Sequence, residues 1–134
     1  MEYRKLGNTG FKVSELGFGA WGIGGSAKNF LSYGNVDPKK SHRVVEYAIV
    51  NGINFFDTAP SYGDGLSEEI IGNVAKKLKI RGDLILSTKS EFKRLVSPYE
   101  LIKKLKESLD RLKTDYIDLY QLHSPDVNEL IHNT

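Results

Sequence analysis

The sequence predicts an α/β fold built on a parallel β-sheet. Four short apolar segments, which begin near Leu16, Ile53, Leu84 and Ile117, follow one another at intervals of 31 to 37 residues. Each interval contains a helical pattern with a recognisable cap. Strands and helices that alternate at this period are typical of right-handed βαβ crossovers. A doubly wound open sheet and a (β/α)8 barrel both satisfy the pattern.

The composition is that of a soluble globular domain spanning residues 1–134, with 40% apolar and 27% charged residues. The 19 basic and 17 acidic residues give a net charge of +2, which indicates neither a nucleic-acid nor a membrane partner. The chain has no cysteine, so we expect no disulfide and no metal site built on thiolates. The N-terminal residues lack an apolar signal segment, and we therefore expect a cytoplasmic protein. The candidate site residues are not expected to bind a metal.

A β-hairpin is expected before the first strand of the parallel sheet. The segments YRKL and FKV flank the turn sequence GNTG, which predicts a hairpin over about residues 3–13. A helix is then expected to begin after Asp37, with Pro38 at its first position, and to end at Gly52.

Three further helices are predicted from their caps. Ser67, followed by two glutamates, is expected to open the second helix. Ser97 and Glu100 have the spacing of a capping box and are expected to open the third. Asp126 is expected to open a fourth.

The segment GFGAWG, residues 17–22, matches the G-x-G-x-x-G pattern of dinucleotide-binding folds. That fingerprint also requires a helix to begin at the third glycine. Here further glycines and polar residues follow, and the next helix cap is Asp37. We therefore interpret residues 17–22 as the start of a flexible loop whose glycines allow the backbone to approach a ligand closely.

Three polar residues lie where predicted strands end: Asp57, Lys89 and His123. The C-terminal ends of parallel strands meet at one edge of a sheet, so these side chains are expected to converge. Tyr62, on the loop after Asp57, is expected to reach the same place. Singly, each residue has an ordinary structural explanation, such as a salt bridge or a capped carbonyl. Four compatible groups at one edge favour catalysis instead.

These four side chains suit the reduction of a carbonyl group. An ammonium beside a tyrosine stabilises the phenolate, so Lys89 would make Tyr62 a better proton donor. Asp57 would keep Lys89 charged, and His123 would hydrogen-bond the carbonyl or help to relay the proton. A carbonyl that accepts a hydride develops alkoxide charge, which the tyrosine proton would neutralise.

The residues that carry this pattern resemble the aldo-keto reductase family. FDTAPSYG with GLSEEIIG resembles the family's first signature, DLILSTK its lysine-bearing strand, and YIDLYQLHSPD its histidine-bearing strand. GFGAWGIGG is similar to the loop after its first barrel strand, and the opening hairpin is similar to the one that closes the bottom of the barrel. The resemblance covers essentially the whole chain.

The resemblance implies a TIM-type (β/α)8 barrel that reduces aldehydes and ketones with NADPH. It implies that Tyr62 is the general acid, that Asp57 and Lys89 tune it, and that His123 orients the carbonyl. Ala20, Trp21 and Asp57 would lie near the nicotinamide half of the NADPH (NADP+) cofactor. The partner would be a small carbonyl compound.

The length of the chain implies about half of such a barrel, because a complete barrel takes about 250 residues. We expect four barrel strands with open edges, a truncated chain, and little or no activity from it alone. Its barrel-facing side chains are expected to need cover, through self-association or a complementary half barrel.

Two other functions fit parts of the sequence. In the first, the reductase-like scaffold is a binding or regulatory fragment that recognises a partner protein. In the second, Lys89 is the nucleophile of a Schiff-base lyase. That second role needs a neutral amine, whereas Asp57 beside it favours the ammonium.

Overall fold

The computed structural model describes residues 1–26, 34–91 and 97–125, and the helix predicted from Asp126 lies outside these ranges. The strands in these ranges are β1 (Tyr3–Lys5), β2 (Lys12–Ser14), β3 (Phe18–Gly19), β4 (Phe55–Asp57), β5 (Ile85–Glu91) and β6 (Leu119–His123). The α-helices are α1 (Pro38–Val50), α2 (Leu66–Leu78) and α3 (Pro98–Leu112). Short 3₁₀ turns cover Trp21–Ile23 and Arg81–Asp83.

Two sheets organise the described residues. β1 pairs antiparallel with β2, which confirms the predicted hairpin. β3, β4, β5 and β6 form a parallel sheet in that order, which confirms the predicted α/β fold. Of the strands that the structure describes, β3 and β6 are the edges of the parallel sheet.

The strand boundaries differ slightly from those predicted. Each parallel strand begins one or two residues later than expected, and Leu16 is exposed before β3 begins at Phe18. Ile53 precedes β4 because its N–H still donates to the carbonyl of Ala48 in α1. Lys89 does not end β5, which continues to Glu91 because Glu91 pairs with His123 in β6.

Helices α1 and α3 begin as predicted. The Asp37 side chain accepts the N–H of Lys39, and Pro38 occupies the first helical position of α1. Ser97 and Glu100 form the reciprocal capping box of α3, with bonds of 3.2 and 3.0 Å. The hydrogen bond from the Ser97 backbone N–H lowers the pKa of the Glu100 carboxyl.

The start of α2 corrects the prediction that Ser67 opens this helix. Helix α2 begins at Leu66, and Gly65 occupies the cap position with a φ of 94°. Ser67 cannot cap because its hydroxyl is buried and used elsewhere: it donates to the carbonyl of Ala20 and lies 2.9 Å from the hydroxyl of Thr58.

The hydrophobic core lies on one face of the parallel sheet. Alternating strand residues such as Phe56 and Leu86 are fully buried against the helices. Their neighbours Phe55, Ile85 and Leu119 point to the opposite face and are partly exposed. Asp57 and Lys89 alternate onto that opposite face as well, so the site lies on the less covered side of the sheet.

Gly72 sets the distance between α2 and α3. A Cβ atom added at Gly72 would lie 2.6 Å from the backbone carbonyl oxygens of Arg111 and Leu112. These are backbone atoms, so they cannot turn away as the end of a side chain can. The close packing of the two helices therefore requires glycine at this position.

We expect Gly72→Ala to lower the free energy of unfolding by about 2 kcal/mol, because overpacking outweighs the gain in helix propensity. Gly82→Ala is the matched control, since a Cβ there meets no atom within 4 Å. Urea unfolding of the purified variants measures the difference. Equal stability of the two variants would contradict the close packing of α2 on α3.

Candidate active site

The C-terminal ends of β4, β5 and β6 bring together the four side chains that the sequence singles out. Asp57 lies opposite Ser87, and Glu91 lies opposite His123. Lys89 points to the same face as Ser87, two residues along β5. Tyr62 joins them from the loop that follows β4.

Lys89 is the centre of this group. Its side chain is only 10% exposed, and its Nζ atom has three acceptors. The Asp57 Oδ2 atom lies at 2.7 Å, the carbonyl oxygen of Thr58 at 2.8 Å and the Tyr62 hydroxyl at 3.3 Å. An ammonium has three N–H donors and no acceptor, so the three partners use its full capacity.

The Asp57 carboxylate has a different partner for each oxygen. Oδ2 forms the ion pair with Lys89, and Oδ1 accepts a hydrogen bond of 3.0 Å from the Ser87 hydroxyl. The backbone carbonyl of Asp57 accepts the N–H of Ala20 at 2.8 Å, which extends the pairing of β3 with β4. The strand and the side chain are therefore both fixed at this position.

Tyr62 is held by its own loop and by α2. Its N–H donates to the carbonyl of Ala59, and its carbonyl accepts the N–H of Ser67 at 3.2 Å. The ring lies beside Lys89, with Nζ 4.9 Å from the ring centroid. This contact adds a cation–π attraction to the hydrogen bond at the hydroxyl.

His123 reaches the group from the neighbouring strand. Its ring meets that of Tyr62 edge to face, with centroids 5.8 Å apart and planes at 82°. Its Nδ1 atom lies 3.4 Å from the Ser61 hydroxyl. His123 therefore joins the group through its contact with Tyr62.

Ala20 and Trp21 lie where β3 ends, beside Asp57. Ala20 is fully buried. Its N–H donates to the carbonyl of Asp57, and its carbonyl accepts from the Ser67 hydroxyl. Trp21 follows it directly and keeps 39% of its surface exposed. The backbone thus presents an aromatic side chain to solvent at the same end of the sheet as Lys89.

The glycine-rich loop after β3 packs on the loop that carries Tyr62. A Cβ at Gly24 would lie 2.6 Å from the Tyr62 carbonyl oxygen, and one at Gly63 would lie 1.8 Å from the Gly24 carbonyl oxygen. These two glycines therefore allow the backbones of the two loops to lie in direct contact, which fixes the position of the Tyr62 loop.

No group of three or more His, Cys, Asp or Glu side chains in the described ranges is placed to hold a metal ion. Among those residues, too, no helix has the length and apolar character needed to cross a membrane.

The model of the aldo/keto reductase family matches residues 15–134. The chain belongs to this family. It is 40% identical over 133 residues to the aldo-keto reductase YhdN of Bacillus subtilis, an alignment that covers 94% of this chain and 39% of the relative. It is 34% identical over 142 residues to a probable voltage-gated potassium channel subunit beta of Arabidopsis thaliana, covering all of this chain and 40% of the relative.

Solved aldo-keto reductases share the fold. The holo form of AKR11C1 from Bacillus halodurans superposes with a TM-score of 0.79 at 35% identity, over 98% of this chain and 43% of that one. A Klebsiella pneumoniae aldo-keto reductase in complex with NADPH superposes with a TM-score of 0.70 at 27% identity, over 88% of this chain and 38% of that one. These neighbours are (β/α)8 barrels, so the described sheet is part of such a barrel. The chain spans about 40% of the length of the relatives that it matches.

Ser87 and Gln121 belong to the site of this aldo-keto reductase chain but were not singled out from the sequence. Gln121 donates from Nε2 to the Ser87 hydroxyl at 2.8 Å, and Ser87 in turn donates to Asp57. Strand alternation was the available signal, because Ser87 lies two residues before Lys89 and Gln121 two before His123.

Glu68 is a third residue whose role was not predicted from the sequence. It is fully buried, although acids in the first turn of a helix usually lie at the surface, where they interact favourably with the helix dipole. Its two oxygens accept hydrogen bonds of 2.6 Å from Thr88 and Arg111. Helical periodicity was the available signal, since Glu68 shares a face with buried residues three and four positions later.

The contacts of Glu68 tie the site to the helices behind it. Thr88 precedes Lys89 in β5, and Arg111 lies in α3, so one carboxylate joins three elements. Because α2 begins four residues after Tyr62, the same carboxylate also anchors the helix that ends the tyrosine loop.

We expect Glu68→Gln to lower the free energy of unfolding by at least about 2 kcal/mol, because it leaves Arg111 without a charged partner. Glu69→Gln is the matched control, since Glu69 is the next residue and is exposed. Thermal and urea unfolding of both variants check this. A loss no larger than that of Glu69→Gln would show that the buried ion pair does not anchor α2.

Proposed function

We propose that this chain forms the part of an NADPH-dependent carbonyl reductase that holds its general acid, Tyr62. The observation that carries the proposal is the direction of the hydrogen bonds around Lys89. All three ammonium donors are directed at acceptors, and one of those acceptors is the Tyr62 oxygen. Since Tyr62 accepts there, its own proton is available to another acceptor.

The proton transfer follows from this arrangement. NADPH, when bound, would supply the hydride for the carbonyl carbon. As the carbon–oxygen double bond becomes single, its electron pair moves to the oxygen, and the Tyr62 hydroxyl gives that oxygen its proton. The tyrosine becomes a phenolate 3.3 Å from the Lys89 ammonium, which stabilises the new negative charge.

Asp57 and His123 have supporting roles in this proposal. Asp57 neutralises the Lys89 charge in the absence of substrate and holds the ammonium in place through a bond of 2.7 Å. His123, edge to face with the tyrosine ring, would hydrogen-bond the carbonyl oxygen and place it near the Tyr62 hydroxyl. The substrate would be an aldehyde or ketone.

The described residues fit one part of the cofactor. Ala20 is fully buried and its backbone N–H donates to the carbonyl of Asp57, and Trp21 presents a partly exposed ring beside it. A flat nicotinamide ring suits such an aromatic surface. Ala20, Trp21 and Asp57 would therefore lie near the nicotinamide half of NADPH, with the Trp21 ring exposed to it.

We also propose that the partly exposed face of the sheet is covered in the active protein. Either a second copy of the chain or a complementary half barrel would bury Phe55, Ile85 and Leu119. The relatives continue beyond the matched segment, and that part would supply the remaining cofactor contacts. Alone, the 134-residue chain is expected to turn over carbonyl substrates slowly or not at all.

A binding role is the second candidate function. One relative is named a probable voltage-gated potassium channel subunit beta, and the outer sides of the edge strands β3 and β6 pair with no other strand that the structure describes. In this alternative the reductase scaffold recognises a protein partner and the Tyr62 group is not used for turnover.

The proposed reduction is tested in a chimaera in which this chain replaces the matched segment of the Bacillus subtilis reductase. We expect the chimaera to oxidise NADPH with aldehydes, and Tyr62→Phe to lower kcat by about 100-fold or more, because the proton donor is lost. Tyr47→Phe is the control, since Tyr47 is 72% exposed on α1. Absorbance at 340 nm follows the reaction in the chimaera and in the isolated chain.

Each outcome of this assay has a definite meaning. Full activity of Tyr62→Phe would exclude Tyr62 as the general acid. A folded chimaera that binds NADPH but reduces none of a broad panel of carbonyl compounds would favour the binding role. Equal activity of the isolated chain and the chimaera would favour cover by a second copy over a complementary half barrel.

A further inference from the structure

One oxygen of the Asp57 carboxylate accepts a hydrogen bond from Ser87, a residue that has no part in the proposed proton transfer. Oδ2 faces Lys89, while Oδ1 accepts from the Ser87 hydroxyl at 3.0 Å. The terminal torsion of an aspartate is broad, so an ion pair through one oxygen leaves the carboxylate free to turn. The bond to Ser87 removes that freedom.

The direction of the Ser87 hydroxyl is fixed by its second neighbour, Gln121. The amide Nε2 atom of Gln121 lies 2.8 Å from the Ser87 oxygen and can only donate. The ionised Asp57 carboxylate can only accept. The single hydroxyl proton of Ser87 must therefore point at Asp57, and the serine oxygen accepts from Gln121.

Strand register places the three residues side by side on the face that carries the site. Ser87 of β5 lies opposite Asp57 of β4, and Gln121 of β6 lies opposite Lys89 of β5. Ser87 is fully buried, whereas Gln121 is exposed. The buried Ser87 hydroxyl donates to Asp57 and accepts from Gln121, so it has a partner in each role and its orientation is well determined.

We propose that Ser87, oriented by Gln121, is a positioning residue that fixes the rotation of the Asp57 carboxylate and thereby the direction of the Lys89 ammonium. This inference rests on the proposed function, because the direction of Lys89 matters through its bond to Tyr62. With the carboxylate free to turn, the ammonium would follow it, and the third N–H would leave the tyrosine oxygen for part of the time.

If Ser87 only filled space, its volume would matter and its hydroxyl would not. A small group that fills space beside Asp57 needs the correct volume but no hydroxyl. Threonine and valine have nearly the same shape and differ only in a hydroxyl against a methyl. Ser87→Thr and Ser87→Val therefore form a matched pair in which the added bulk is equal, and Ser87→Ala removes the hydroxyl without adding bulk.

The first readout is the chemical labelling of Lys89 in the isolated chain by acetic anhydride, followed by mass spectrometry. The exposed Lys103 is the internal reference. We expect Ser87→Val and Ser87→Ala to raise the relative labelling rate of Lys89 by about tenfold, the effect of losing one hydrogen bond to a charged group. Ser87→Thr retains the hydroxyl and is expected to restore the slow labelling.

The second readout is steady-state kinetics in the chimaera. Ser87→Val is expected to lower kcat by about tenfold with little change in the KM of the carbonyl substrate, and Ser87→Thr to recover most of the loss. Gln121→Met removes the donor at similar length and is expected to cost about threefold. Because Gln121 acts through Ser87, the double variant with Ser87→Val should be no slower than Ser87→Val alone.

The two readouts separate this proposal from the proposed function. Equal labelling of Lys89 in the Thr, Val and Ala variants would overturn the positioning role, whatever the chimaera does. If labelling differs as expected but the unsubstituted chimaera shows no turnover, the proposed function fails and the positioning of Asp57 stands. Additive losses in the double variant would overturn the part assigned to Gln121.

Discussion

The buried ammonium of Lys89 constrains everything around it. Transfer of a charged group from water to a protein interior costs several kcal/mol unless partners replace the lost hydration. The side chain of Lys89 is 10% exposed, and its three partners come from the end of β4 and the loop that follows. The ammonium keeps its hydrogen bonds only while that loop, and therefore Tyr62, stays in place. The position of Tyr62, the proposed proton donor, and the stability of this end of the sheet thus depend on the same contacts.

Packing supports Lys89 and its partners in three places. On the less covered face, the Ser87 hydroxyl donates to Asp57 and accepts from Gln121. On the helix face, Glu68 accepts a hydrogen bond from Thr88, the residue before Lys89, and so fixes β5 against α2. Close backbone contact between Gly24 and the Tyr62 loop adds a third support. A rigid shell of this kind lets a reaction proceed with little reorganisation of the protein.

Much of this arrangement could be predicted from local patterns. The parallel strands, the caps of α1 and α3 and the convergence of Asp57, Lys89 and His123 follow from periodicity and from the edge rule of parallel sheets. The start of α2 was predicted wrongly because the hydroxyl of Ser67 is used in a tertiary contact with Ala20. Such contacts join residues far apart in the chain, and a single sequence gives no distances between them.

The central claim is that Lys89 and Asp57 act as a coupled pair, and a double-mutant cycle tests it most directly. The free energies of unfolding of Lys89→Met, Asp57→Asn and the double variant are compared with that of the unsubstituted chain. Since one partner is largely buried, we predict a coupling energy of at least about 1 kcal/mol. A coupling below about 0.5 kcal/mol would mean that the two side chains contribute independently, and it would contradict the central role of the Lys89–Asp57 ion pair in the site.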